Sequence, residues 1–159
     1  MDRIDIKFAR ISDMKEILDI KKQSHQFFVN CRPDIYKESQ QLYTDDFLKG
    51  FFNSESKSIV IAKMKNHIIG YAFVQMMNIN LPMLTSRKYM YVHDMAVSET
   101  FRHHGVATQL LNFIEIYSIN MGASKLELAV HLFNDNAISL YEKIGFNARS
   151  VRMEKELNH

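Results

Sequence analysis

One cysteine, two prolines and five glycines are spread over 159 residues, and neither sign of charge dominates: 20 Lys and Arg stand against 18 Asp and Glu, a net charge of +2. Each shortage excludes something. The lone Cys31 has no intramolecular disulfide partner, so a disulfide scaffold is out and a reducing compartment fits. Balanced charge argues against a surface that coats nucleic acid. No apolar run approaches the ~18 residues of a membrane span. The opening MDRIDIKFARISDMKEIL alternates charged and apolar residues, which is not the continuous apolar segment of a signal peptide. The expected location is therefore the cytoplasm, with neither nucleic acid nor membrane as partner. What is present, 47% hydrophobic and 24% charged residues, suits a globular protein with its own core, and we expect a single domain over 1–159. With glycine so scarce, each one is a candidate for a special backbone need.

Periodicity supplies the element order. Ile4, Ile6 and Phe8 alternate with polar neighbours as in a strand. Ser12 suits an N-cap, with Asp13 and Glu16 in the first turn of a helix that Pro33 ends. Thr44 suits the cap of a second helix carrying Phe47, Leu48, Phe51 and Phe52. Residues 58–64 and 67–79 form a hairpin about Lys65-Asn66, and 88–97 is a further long strand. From 102 to 121 the period becomes helical, with Gly122 as its stop. A half-buried strand follows over 126–132, then a short helix over 135–143 stopped by Gly145, then a last strand over 150–157. A single mixed sheet flanked by helices fits this order.

The chemistry-bearing junction is SETFRHHGVATQLL, where the long strand gives way to a helix whose expected first turn holds Arg102, His103 and His104, then Gly105, Val106, Ala107 and Thr108. A helix start presents unpaired N–H groups and the positive end of its dipole. Gly105 and Ala107 remove bulk, so phosphate oxygens can approach the backbone. The loop is neither a Walker A motif nor a dinucleotide fingerprint, because G-x-x-x-x-G-K-[ST] and G-x-G-x-x-G are both absent.

RHHGVA resembles the R/Q-x-x-G-x-G/A motif of the GNAT acyl-CoA-dependent N-acetyltransferases. NDNAISLYEKIGF resembles that family's N-x-x-A-x-x-L-Y-x-K-x-G-F segment, at the family's spacing, and IKFARISDMKEIL resembles its opening strand and helix more weakly. The resemblance is strong over 90–146. It implies the family's α/β fold, a single central mixed and mostly antiparallel sheet flanked by helices. It implies acetyl-CoA as cosubstrate, no metal, and an amine as acceptor. The amides of His103 to Thr108 would hold the pyrophosphate, with Arg102, His103 and His104 adding positive potential. The backbone of Met95, Ala96 and Val97 would pair with the pantetheine arm, and the backbone near Met95 would receive the oxyanion. Asn134 would bond the same arm, and the Tyr141 hydroxyl would protonate the leaving thiolate. Many members dimerise, so the resemblance admits a homodimer.

The residues leave the general base open. His93 has a suitable intrinsic pKa. Tyr91 lies two residues before it, and Asp94 follows on the opposite face of a regular strand. Fourth strands of this family usually carry a bulge here, so parity does not choose between His93 and Asp94. An acidic residue at the Asp94 position also resembles the aminoglycoside 3-N-acetyltransferases. Glu127 and His131 would share the polar face of the fifth strand with Ala129, where some protein N-terminal acetyltransferases carry Glu. The Ala there argues mildly for a small-molecule amine over a protein lysine or N-terminus. The acceptor wall would come from 25–36, where Asp34 is either a cation-binding carboxylate or, slightly favoured, a solvated turn residue. A non-catalytic acyl-CoA-binding module is the remaining alternative, and Tyr141 speaks against it.

Overall fold

The computed structural model describes residues 3–158, which fall into two compact units divided between Ala129 and Val130. The first unit holds a five-stranded sheet in the order β1 (Ile4–Phe8), β2 (Lys57–Met64), β3 (His67–Ile79), β4 (Arg87–Val97) and β5 (Lys125–Leu128). Neighbours pair antiparallel except β4 and β5, which run parallel. Helices α1 (Met14–Cys31) and α2 (Asp45–Phe52) cover one face, and α3 (Val106–Asn120) covers the other. The α/β fold expected from the sequence, a mixed and mostly antiparallel sheet flanked by helices, is the observed one.

Side-chain alternation along the central strands explains the two layers. Ala72, Val74, Met90 and Val92 point to the α3 face and meet Val106, Leu110 and Ile114. Tyr71, Phe73 and Ala96 point to the other face and meet Ile17, Ile20 and Phe51. A strand fed by apolar residues on both faces is the pattern of a sheet buried on both sides. Gly70 makes the α3 layer fit: a Cβ there would stand 3.2 Å from each of the Ala96 carbonyl oxygen, Leu110 Cδ1 and Val106 Cγ1. Close packing is thus the reason for this glycine, and the β2–β3 register also slips beside it, between Ala62 and Lys63. Gly50, inside α2, is explained by nothing around it.

Four sequence expectations are corrected. Ser12 is not an N-cap: the chain enters α1 through a 3₁₀ turn over Ile11–Asp13, and the Asp13 carboxylate accepts from the Arg10 N–H at 2.8 Å instead. The third helix starts at Val106, because Gly105 is left-handed at φ +77° and breaks the helical run, so Arg102, His103 and His104 lie in a turn before it. β5 stops at Leu128 and does not reach residue 132. No strand forms over 150–157. Among its described residues the second unit contains α4 (Asp135–Lys143) and no strand to pair with, and an isolated extended segment cannot satisfy its own backbone groups. The remaining caps hold: Thr44 Oγ1 accepts from Phe47 N–H at 3.2 Å, and Asn134 Oδ1 accepts from Ala137 N–H at 3.3 Å.

Candidate functional site

The parallel β4–β5 ladder covers only Tyr89 to Val92 of β4, whereas β4 continues to Val97. On that side no strand pairs with residues 93–97 among the described residues. Met95, Ala96 and Val97 are therefore held by β3 along one edge, opposite Ala72, Tyr71 and Gly70, and offer backbone groups along the other. An extended chain could add there as a strand does. The Val97 carbonyl accepts from Arg102 Nε at 3.3 Å.

The turn beyond this edge is built to present amides. His103 and Gly105 both have left-handed backbones, φ +62° and +77°. Gly105 caps α3 with no side-chain hydrogen bond, and its carbonyl takes the first helical bond, from Gln109 N–H at 3.1 Å. The N–H groups of His103, His104, Gly105, Val106, Ala107 and Thr108 reach no acceptor among the described residues. A Cβ on Gly105 would have nothing within 4 Å, so the space in front of the turn is open. Arg102, His103 and His104 are exposed around it, and His104 donates from Nδ1 to the Arg102 carbonyl at 2.7 Å. Bare amides, a helix start and three basic side chains are the chemistry that a diphosphate requires.

β4 is bulged at His93. Phe73 faces Asp94 while Val74 faces Val92, so His93 is the extra residue. The consequence is that His93 and Asp94 both project toward the α1–α2 face, while Val92 and Met95 on either side pack toward α3. The alternatives that strand parity left open are thus neighbours on one face. They differ in surroundings. His93 Nε2 lies 2.8 Å from Gln75 Oε1, and its ring meets Phe51 and Tyr91 edge-on. With an oxygen as partner, Nε2 carries the proton and Nδ1 keeps its lone pair. Burial and the nearby Lys57 ammonium push the His93 pKa below 6.5, against a raising influence from Asp94, so the imidazole is neutral at pH 7.

Asp94 is engaged. Its Oδ2 accepts from Tyr43 Oη and from Tyr71 Oη, the latter at 3.0 Å, and pairs with Lys21 Nζ at 2.9 Å. Lys21 also lies over the Tyr43 ring, 5.4 Å from its centroid. Burial first, and then the Asp94 charge, push both tyrosine hydroxyls far above their usual pKa, so they act as donors only. Sequence reading missed Lys21, Tyr43, Tyr71 and Gln75. The one available signal was Lys21 itself, four residues after Ile17 on the buried stripe of α1. Tyr43, stacked on Phe47, also walls a cavity of about 330 Å³ with Lys15, Leu18, Asp19, Gln41 and Leu48.

Other expected site residues are placed elsewhere. Asp34 is bound by Arg32 in a two-pronged pair, Nε at 2.8 Å and Nη2 at 2.7 Å, which holds its carboxyl below the usual range and favours the turn role. Glu127 pairs with Arg87 of β4. His131 lies beyond the end of β5 and stacks on Phe133 within the second unit, so it does not share a strand face with Glu127. In that unit Asn134 caps α4, and the Tyr141 ring packs 5.6 Å from Phe146. Among the described residues no group of three or more His, Cys, Asp or Glu stands ready to hold a metal ion, and no helix is long and apolar enough to cross a membrane.

Residues 15–146 match the model of the acetyltransferase (GNAT) family. The chain is similar to the uncharacterized N-acetyltransferase YdgE of Bacillus subtilis, 31% identical over 74 residues, which is 46% of this chain and 47% of that protein. It is similar over a longer span to the N-alpha-acetyltransferase of Sulfolobus acidocaldarius, 27% identical over 156 residues, covering 94% of this chain and 82% of that protein. Its fold is that of a mutant of the BH1408 protein from Bacillus halodurans, with a TM-score of 0.92 at 24% identity, covering 97% of this chain and 99% of that one.

Proposed function

The chain belongs to the acetyltransferase (GNAT) family, and from that premise we propose that it moves an acetyl group from acetyl-CoA to the primary amine of a small molecule, by direct attack in a ternary complex. The observation that carries the proposal is the unpaired edge of β4 at 93–97 beside a turn of bare amides at 103–108. In this reading the pantetheine arm adds to β4 along Met95, Ala96 and Val97. The diphosphate sits on the amides of His103 to Thr108, with Arg102 beside it. Both units are taken as one acetyl-transfer domain, in keeping with a family match that runs from 15 to 146.

An alkylammonium of pKa ~10.4 must lose its proton before attack, which costs about 4–5 kcal/mol at pH 7. We assign that proton to His93, directly or through a water, because its imidazole is neutral and Nδ1 holds the free lone pair. Asp94 acts beside it as a fixed negative charge. The nitrogen bonds to the thioester carbon, and the oxyanion is met by the Met95 backbone N–H. Collapse breaks the C–S bond, and Tyr141, by family resemblance, protonates the thiolate. The second proton that the attacking nitrogen loses returns through solvent to the tyrosinate, while His93 gives up its own proton to solvent. The products are the acetamide and free CoA. A cavity of about 330 Å³ on the α1–α2 side is of small-molecule size.

The test is thiol release from acetyl-CoA across a panel of polyamines, aminoglycosides, amino acids and peptides. Release that requires a small amine supports the proposal. Turnover with peptides alone would favour N-terminal acetylation, the second reading, for which the likeness to the Sulfolobus acidocaldarius protein speaks. Acetyl-CoA binding with no turnover on any amine would leave a binding module.

A further inference from the structure

Tyr43 belongs to two places at once. Its ring stacks on Phe47, 5.0 Å and 9° from parallel, and forms a wall of the cavity between α1 and the start of α2. Its hydroxyl donates to Asp94 on β4, the residue after the bulged His93. The segment that carries it, from Arg32 to Thr44, is otherwise held mainly at its far end. There His25 donates to the Lys37 carbonyl at 2.7 Å and Tyr36 packs edge-on against Phe28. Glu38 to Leu42 are exposed or half-buried, and Gln40, Gln41 and Leu42 also line the cavity. All three donors to Asp94 meet the same oxygen, Oδ2. No described side chain donates to Oδ1, and the Asp94 side chain keeps 21% of its surface exposed.

We propose that Tyr43 is a positioning residue that sets acceptor specificity: it ties the cavity wall to Asp94, so that an amine held in the cavity is brought into register with the bulge of β4. The proposal rests on the reading of β4 as the transfer site. Lys21 balances the Asp94 charge and holds the carboxylate rotamer, leaving Oδ1 to face the incoming ammonium. Because the tie runs through one hydroxyl, removing that oxygen loosens the register without opening the hydrophobic layer, since a Phe ring keeps the stack on Phe47.

Tyr43→Phe tests this. The KM of the best amine in the panel should rise tenfold or more, with the Kd for acetyl-CoA unchanged and the melting temperature lowered only by the few degrees that losing one hydrogen bond brings. In an Asp94→Asn background the same change should have no further effect on KM, because the acceptor of its bond is already altered. Equal losses in acetyl-CoA affinity and melting temperature, an unchanged KM, or independent effects of the two substitutions would each overturn the proposal. If the parent protein turns over no amine, the transfer reading falls on its own. Amide exchange then decides: Tyr43→Phe must speed exchange over 38–42 and leave α3 untouched, and equal exchange in both proteins refutes the tie.

Discussion

Replacing Gly105 by Ala perturbs the turn at one atom, and the structure separates its two effects. The added Cβ would meet nothing within 4 Å, so no clash contributes. The backbone does: at φ +77° an L-residue is held left-handed, which costs roughly 1–2 kcal/mol. For a chain of this size, that lowers the melting temperature by about 2–8 °C. Binding should suffer separately. The methyl group stands in open space beside the unpaired amides of 103–108, where a diphosphate must come within hydrogen-bond distance. Displacing one charge-assisted bond costs about 1.5–3 kcal/mol, a ten- to hundredfold or greater rise in Kd. Gly105→Asn divides the two, because Asn tolerates the left-handed region but keeps the bulk. It should recover most of the melting temperature and little of the affinity. Calorimetric titration with acetyl-CoA, run beside thermal melts, reads both numbers. Acetyl-CoA binding within twofold of the parent in Gly105→Ala would refute the assignment of this turn to the phosphates, whatever happens to stability.

Two further outcomes follow from titrating groups. If neutral His93 takes the amine proton, kcat/KM falls on the acid side with a limb below pH 6.5, since burial and Lys57 oppose its protonation. Lys57→Met removes that repulsion and should move the limb upward, so an unmoved limb rejects His93 as the base. Burial raises the Asp13 pKa, but the Arg10 N–H and the Lys63 ammonium at 3.2 Å outweigh it and hold the carboxyl below 3.8. A depressed native pKa stabilises the fold fully above the unfolded value near ~4 and loses that stabilisation as the pH falls through the native one. Asp13→Asn should therefore cost about 1–3 kcal/mol at pH 7, and its gap to the parent should narrow in urea melts as the pH falls below 3.8; a gap of equal size at neutral and acid pH would be the refuting result.

The layers of the fold were legible because they rest on period. Ile59 and Ile61 alternate with Val60 and Ala62, and the two sets end on opposite faces. The anion turn was legible because scarcity made Gly105 conspicuous between a strand and a helix. The helix boundary was not, since Arg102 and the two histidines are acceptable helix formers and only the left-handed backbone at 103 and 105 expels them. Residues 150–157 alternate like a strand, but alternation supplies no pairing partner. The Lys21–Tyr43–Tyr71–Asp94 cluster was illegible for a different reason. Its members lie 23 to 51 residues from Asp94 where the hydrogen bonds are concerned, on separate elements. No local pattern encodes a contact made only by tertiary packing.

The bulge at His93 shows how the sheet accommodates chemistry at its centre. In a regular β4, His93 and Asp94 would point to opposite faces, and one of the two would enter the apolar layer beneath α3. A charge or an unpaired imidazole there would meet Val74, Val92 and Leu110 and no polar partner. One extra residue avoids this by turning both side chains to the α1–α2 face, and it returns Met95 to the α3 layer. The extra residue lies where the β4–β5 ladder has already ended, so it disrupts no pairing with β5. In the α3 layer, Val106 sits buried in the space that Gly70 leaves, directly after Gly105. The amide turn is therefore seated by core packing. One missing side chain at Gly70 and one surplus residue at His93 place the two halves of the candidate site along the same strand.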